Sequence, residues 1–188
     1  VIVDSGGANL RSVKNAFEKI SSQAVVSIDE NIISNADYVI LPGVGSAQMV
    51  MQSLISNNLV NVIKSLSQPV LGICVGMQIL FNSSEEQNCK CLGLINDDIK
   101  KFNLPKDKAV PHMGWNKVIF ESEQLLSNYY YFANSYYAPI TKDTTGICEY
   151  GIEFSATVQK DNFFGCQFHP EKSSNSGIKF ILNFLNYY

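Results

Sequence analysis

Gly72-Ile73-Cys74-Val75-Gly76 places a cysteine between two glycines at the end of a short apolar run. The same spacing around serine makes a nucleophile elbow. There a sharp strand-to-helix turn lifts the reactive side chain out of a sheet, and the glycines let strand and helix approach closely. With cysteine in that place the chemistry is acyl transfer through a thioester, and the start of a helix favours the thiolate that attacks. The competing reading of these five residues is a buried structural cysteine beside two packing glycines. A thiol needs a base, and the chain has only two histidines, His112 and His169. His169 closes the apolar run 163–168 and is followed by Pro170-Glu171. Glu171 can accept the second imidazole N–H and fix the ring, which completes a nucleophile, base and orienter. His112, in Pro111-His112-Met113-Gly114-Trp115-Asn116, has no carboxylate close by in sequence and reads as a structural loop histidine.

Two further segments are candidates for chemistry. Pro42-Gly43-Val44-Gly45 lacks the Lys-Ser/Thr ending of a phosphate loop. A glycine-rich loop after a strand can instead aim a backbone N–H at a developing oxyanion, and with the N–H of Val75 that makes a two-donor hole. On these residues alone an ordinary strand-to-helix turn is the simpler reading. Cys89-Lys90-Cys91 has no second ligand pair, so no metal is expected.

The elements that position these groups follow from hydrophobic periodicity. Strands are expected at 1–3, 24–28, 38–41 and 70–74. Leu10, Val13, Phe17 and Ile20 mark a first helix face; Leu59, Val62, Ile63 and Leu66 mark another, in a helical region broken near Asn57-Asn58. A helix should follow Cys74 over 77–81. Alternating strands and helices of this kind make a parallel sheet of doubly wound type. The second half differs, with strand-like runs at 115–120, 129–132, 146–149, 156–159 and 163–169 and no long helices between them. It should extend the sheet in antiparallel fashion, before a last helix over about 175–185. The fold class is therefore α/β, a mostly parallel central sheet flanked by helices with an antiparallel extension.

A length of 188 residues corresponds to about one domain at roughly 150 residues each, spanning 1–188. Lys+Arg 14 against Asp+Glu 17 gives a net charge of -3, without the basic excess that phosphate-backbone binding needs, so no nucleic acid partner is expected. Arg11 is the only arginine, so a phosphorylated substrate should bind elsewhere. Five cysteines without a framework spacing suggest a reducing compartment, the cytoplasm. No apolar run approaches the roughly 20 residues of a bilayer span, so no membrane association is expected.

Gly72-Ile73-Cys74-Val75-Gly76-Met77-Gln78 together with Phe168-His169-Pro170-Glu171 resembles the signature of the class I (triad-type) glutamine amidotransferases. Pro42-Gly43-Val44-Gly45, Pro111-His112-Met113-Gly114-Trp115-Asn116 and Glu171-Lys172-Ser173 narrow the resemblance to the HisH glutaminase subunits of imidazole glycerol phosphate synthases. The resemblance implies the class I glutamine amidotransferase fold and hydrolysis of L-glutamine to glutamate and ammonia without a cofactor. The ammonia would pass to a (β/α)8-barrel cyclase subunit of HisF type, in a heterodimer that makes imidazole glycerol phosphate and aminoimidazole carboxamide ribotide for histidine biosynthesis. It assigns Cys74, His169 and Glu171 to the triad and Val44 and Val75 to the oxyanion hole. Gln78, Glu86, Ser135 and Tyr136 match positions that hold the glutamine; Asn9, Trp115 and Lys172 match positions that face the barrel and the ammonia passage. Two residues depart from the family's habit: Asn134 stands where histidine is usual, and Ser5 where tyrosine or threonine is common. A glutaminase subunit serving another synthase, such as a surface-sugar amidotransferase, and a catalytically silent scaffold remain as alternatives. An aromatic group (Tyr129, Tyr130, Tyr131, Phe132, Tyr136, Tyr137) beside Trp115 and Lys172 is a candidate partner surface, although alternate strand aromatics are more often core.

Overall fold

The structure is a computed structural model that describes residues 1–6, 9–20, 23–43, 45–106, 108–120 and 127–186. The parallel half of the main sheet is laid down by four strands, β1 (Ile2–Val3), β2 (Val26–Ser27), β3 (Val39–Gly43) and β4 (Val70–Cys74). Every residue of β3 and β4 is buried, as runs covered on both faces must be. Between them lie the helices α1 (Leu10–Glu18), α2 (Glu30–Ser34), α3 (Ala47–Ser56) and α4 (Leu59–Ser65). The break between α3 and α4 falls where the sequence places it, because Asn58 takes a left-handed φ of 58° that a continuous helix cannot accommodate.

After α5 (Val75–Gln78) the chain makes β5 (Phe81–Ser84), β6 (Cys89–Lys90) and β7 (Ile95–Lys101). The antiparallel strands follow: β8 (His112–Phe120), β9 (Asn128–Asn134), β11 (Thr144–Glu149) and β12 (Glu153–Lys160), with the short β10 (Tyr136–Tyr137) between β9 and β11. Next come β13 (Phe163–Cys166), which closes the sheet against β4, and α6 (Ser174–Leu185). The nine-stranded order is β2-β1-β3-β4-β13-β12-β11-β8-β9, parallel as far as β13 and antiparallel beyond it.

Several details correct the sequence reading. The helix expected over 77–81 is a single turn, because the backbone of 79–81 is taken by residues 92–94: Leu92 donates to Ile79, Leu94 to Leu80 and Gly93 to Phe81. A second sheet, β10-β7-β5-β6, then forms from three short segments and the longer, polar β7, whose Ile-Asn-Asp-Asp-Ile-Lys-Lys shows no clean alternation. The expected run 163–169 is a strand only as far as Cys166, and His169 instead precedes a 3-10 turn at Pro170–Lys172.

Alternation along β9 divides the aromatic group. Tyr130 and Phe132 point into the core, where Tyr130 stacks on Phe168 at 4.1 Å, whereas Tyr129 is exposed. His112 is a strand residue, not a loop residue. It is buried and stacked between Tyr150 (3.9 Å) and Phe132 (4.9 Å), which agrees with a structural role. Burial, helped by the charge of Lys108, lowers its pKa to about 4.

Candidate active site

The parallel register brings the chemistry to one end of the sheet. Cys74, the last residue of β4, lies opposite Gly43 of β3 on one side, while Ile73 pairs with Cys166 of β13 on the other. Two strand ends and their following turns therefore converge on the cysteine.

Cys74 has φ 55° and ψ −111°, a conformation costly for a residue with a side chain and typical of a held nucleophile. The strain is sustained by the close packing that the two glycines allow. A Cβ at Gly76 would lie 1.8 Å from the Leu41 carbonyl oxygen, and one at Gly72 would lie 2.5 Å from the carbonyl of Gly76. The turn is thus wedged between β3 and β4, as G-x-C-x-G predicts. Burial pushes the other four thiols up, Cys91 and Cys148 to about 12, which argues against any of them as a nucleophile.

His169 donates from Nδ1 to Glu171 Oε1 at 2.8 Å, with both side chains almost wholly buried. That bond leaves Nε2 for the thiol. Burial disfavours the charged imidazole, but the interactions with Cys74 and Glu171 outweigh it and raise the pKa to about 10. The ring is pinned from behind: its backbone N–H donates to the Tyr131 carbonyl (2.8 Å), and Ser173 Oγ donates to the His169 carbonyl (2.7 Å) while accepting from the Tyr131 N–H (2.9 Å).

Asn9 joins this group from α1. It occupies the N-cap position yet makes no capping bond; its Nδ2 donates instead to Glu171 Oε1 at 3.2 Å. A residue type strongly favoured as a cap is here committed to the orienting carboxylate. Ser5 is buried and donates to the Pro42 carbonyl at 2.7 Å, tying β1 to the end of β3.

The residues matched to substrate holding connect to Cys74 through Gln78 and Gln167. Gln78 is buried one turn after Cys74 and donates from Nε2 to the Tyr136 carbonyl (3.1 Å) and to Gln167 Oε1 (2.9 Å). Asn134 Nδ2 also donates to the Tyr136 carbonyl, at 2.9 Å. The Ser135 carbonyl accepts from the Phe102 N–H. Glu86 Oε2 accepts from the N–H of Ala47 at the start of α3 (2.8 Å), which holds it beside the loop that follows β3. The Tyr136 phenol is pushed up by burial and by the nearby charges of Glu86 and Glu85. Val75 is the first residue of α5, directly after Cys74, and Val44 lies outside the described residues.

Trp115 and Lys172 flank the triad on the surface. Trp115 is 52% exposed and faces Tyr131 edge-on, and the Lys172 ammonium lies 5.9 Å from the same ring. Met113, on the same face of β8, is also exposed. Among the described residues, no three His, Cys, Asp or Glu side chains cluster in a way that could hold a metal ion. No helix among them is long and apolar enough to cross a membrane.

Sequence reasoning missed Gln167 and Ser173, and named Asn9 only by resemblance, for the barrel face and ammonia passage and not for its bond to Glu171. The one signal available for Gln167 was its position two residues before His169, the same face of the strand expected over 163–169.

A sequence profile described as "Glutamine amidotransferase class-I" matches residues 1–186. The chain is 46% identical to "Imidazole glycerol phosphate synthase subunit HisH" of Shewanella sediminis, over 98% of this chain and 89% of that protein. It is 45% identical to the protein of the same name from Escherichia coli (strain K12), over 98% and 97%. Among solved structures, one described as "Crystal structure of glutamine amidotransferase" superposes with a TM-score of 0.77 at 15% identity, covering 98% of this chain and 97% of the other, a likeness of fold.

Proposed function

The chain belongs to the class-I glutamine amidotransferase family, and from that premise we propose that it is the glutaminase subunit of an imidazole glycerol phosphate synthase. It hydrolyses L-glutamine to glutamate and ammonia, and a HisF-type (β/α)8-barrel cyclase subunit consumes the ammonia in histidine biosynthesis. The observation that carries this reading is the joining of the Cys74 elbow to the His169–Glu171 pair across β4 and β13.

The Cys74 sulfur attacks the side-chain carboxamide carbon of glutamine, and His169 takes up the thiol proton. The tetrahedral oxyanion is met by the Val75 N–H and, on the family resemblance, by that of Val44. As the carbon–nitrogen bond breaks, His169 returns its proton to the leaving nitrogen, so ammonia departs and a glutamyl thioester remains on Cys74. His169 then deprotonates a water that attacks the thioester, releasing glutamate and the thiol. Glu171 holds His169 in the tautomer that serves both steps. Gln78, Glu86, Ser135 and Tyr136 hold the amino-acid end of the substrate. Trp115 and Lys172 face the barrel and Asn9, bonded to Glu171, lies towards the ammonia passage; the exposed Trp115 and Met113 beside the half-buried Tyr131 supply the aromatic and apolar surface that interfaces favour.

Glutamate release measured on the isolated chain, on its complex with the cyclase subunit, and on that complex with the cyclase's own ligand should rise at each step. Full activity in the isolated chain would move the protein towards a free-standing hydrolase; no glutamate release in any arm would sink the glutaminase reading.

A further inference from the structure

We propose that Gln167 is a positioning residue of this reaction, one that supports the Cys74 sulfur with an N–H and locks the amide of Gln78 with its carbonyl oxygen. The proposal deepens the glutaminase reading and rests on it.

The orientation of both amides follows from one acceptor that cannot be flipped. Gln78 Nε2 lies 3.1 Å from the Tyr136 backbone carbonyl, which only accepts, so that atom must be the amide nitrogen. Its second hydrogen points to Gln167, 2.9 Å away, so the Gln167 atom there is the oxygen. The remaining Gln167 atom, 3.7 Å from Cys74 Sγ, is therefore the nitrogen and a donor. Gln167 is fully buried, and its own backbone N–H is spent on the Ala156 carbonyl at 2.8 Å.

Two consequences for the reaction follow. An N–H donor aimed at sulfur stabilises the thiolate more than the thiol, since hydrogen bonds to the charged form favour that form. Gln167 thus supports the nucleophile from the sheet interior, independently of His169. With both Nε2 hydrogens of Gln78 committed, its Oε1 is left as an acceptor and presents one fixed polarity to the amino-acid end of glutamine. One buried side chain so ties the nucleophile, a substrate-holding amide and, through the Tyr136 carbonyl that Asn134 also bonds, the 135–136 segment.

The test compares Gln167→Glu and Gln167→Met with wild type. Iodoacetamide alkylation of Cys74 in the full chain is followed against pH by mass spectrometry, and kcat and KM for glutamine are measured in the complex with the cyclase subunit. Gln167→Glu keeps an acceptor for Gln78 but turns an oxygen towards sulfur. The midpoint of alkylation should move upward by about one pH unit, and kcat should fall about tenfold with KM within threefold of wild type. Gln167→Met should shift the midpoint similarly and also raise KM about fivefold or more, because Gln78 loses its lock. A packing role alone would lower the melting temperature without moving the midpoint. An unchanged midpoint in either folded variant, or an unchanged KM in Gln167→Met, would overturn the proposal, and if one variant fails to fold the other decides. Glutamate release by the wild-type complex, abolished by Cys74→Ser, checks the glutaminase reading separately; its absence would sink that reading while the alkylation midpoints still judge Gln167.

Discussion

Replacing Gly76 by alanine should cost the glutaminase about a hundredfold while adding nothing larger than a methyl group. The added Cβ would sit 1.8 Å from the Leu41 carbonyl oxygen and 2.8 Å from its carbonyl carbon. Reaching a 3.0 Å contact requires the two backbones to part by about 1.2 Å, and neither can yield by rotating a side chain. One of them carries Cys74 and the Val75 N–H. A misplacement of about 1 Å in a positioned site costs on the order of 10²-fold. Overpacking should destabilise by about 1 to 3 kcal/mol, which for a chain of this size lowers the melting temperature by roughly 2 to 12 °C. The assay is steady-state glutamate release in the complex, with added ammonia as nitrogen donor for the cyclase as the control for assembly. A folded Gly76→Ala protein hydrolysing glutamine within threefold of wild type would show that the elbow does not set the geometry and refute the argument.

Cys74→Ala should abolish glutamine-dependent synthesis while the assembled enzyme still turns over added ammonia, because Cys74 breaks the amide and takes no part in cyclisation; glutamine hydrolysis surviving within threefold would end the nucleophile assignment. His169→Ala should cost the glutaminase about 10²- to 10⁴-fold and His112→Ala far less, with Glu171→Gln between them; the reverse order for the histidines, with assembly intact, would overturn the choice of base. His112 should also make stability pH-dependent. Its folded pKa of about 4 lies below the ordinary 6.5, so the unfolded chain binds the proton more readily and stability falls as pH drops from 6.5 towards 4. His169, raised to about 10, has the opposite sign: its contribution is full below 6.5 and is lost as pH rises through 10. Urea midpoints of wild type and His112→Phe should therefore diverge in favour of the variant between pH 6.5 and 4, and parallel curves would contradict the His112 reading.

Much of the triad was legible because each part is announced locally. Gly72, Cys74 and Gly76 sit within one turn, and His169 and Glu171 within one tripeptide at the end of an apolar run. The buried strands β3 and β4 show as short continuous apolar segments, and the αL break at Asn58 as an Asn-Asn pair between two periodic faces. The second sheet was not legible, since β6 and β10 are two residues long and β5 is Phe-Asn-Ser-Ser, with no pattern to read. Nor was the division of the tyrosines on β9, which depends on which face of the edge strand α6 covers.

By itself, then, the sequence determined the residue types of the chemistry and the strand ends and turns that carry them, because strand-end and turn signals are short-range and written in consecutive residues. The tertiary structure decided what surrounds the reacting atoms. Asn9 reaches Glu171 across 162 positions, and Gln167 reaches Cys74 across 93 and Gln78 across 89. Such contacts follow from parallel register between strands distant in the chain, and no local pattern encodes that register. A side chain whose role is to hold another, buried and hydrogen-bonded at that distance, becomes visible only when the sheet brings both to one end.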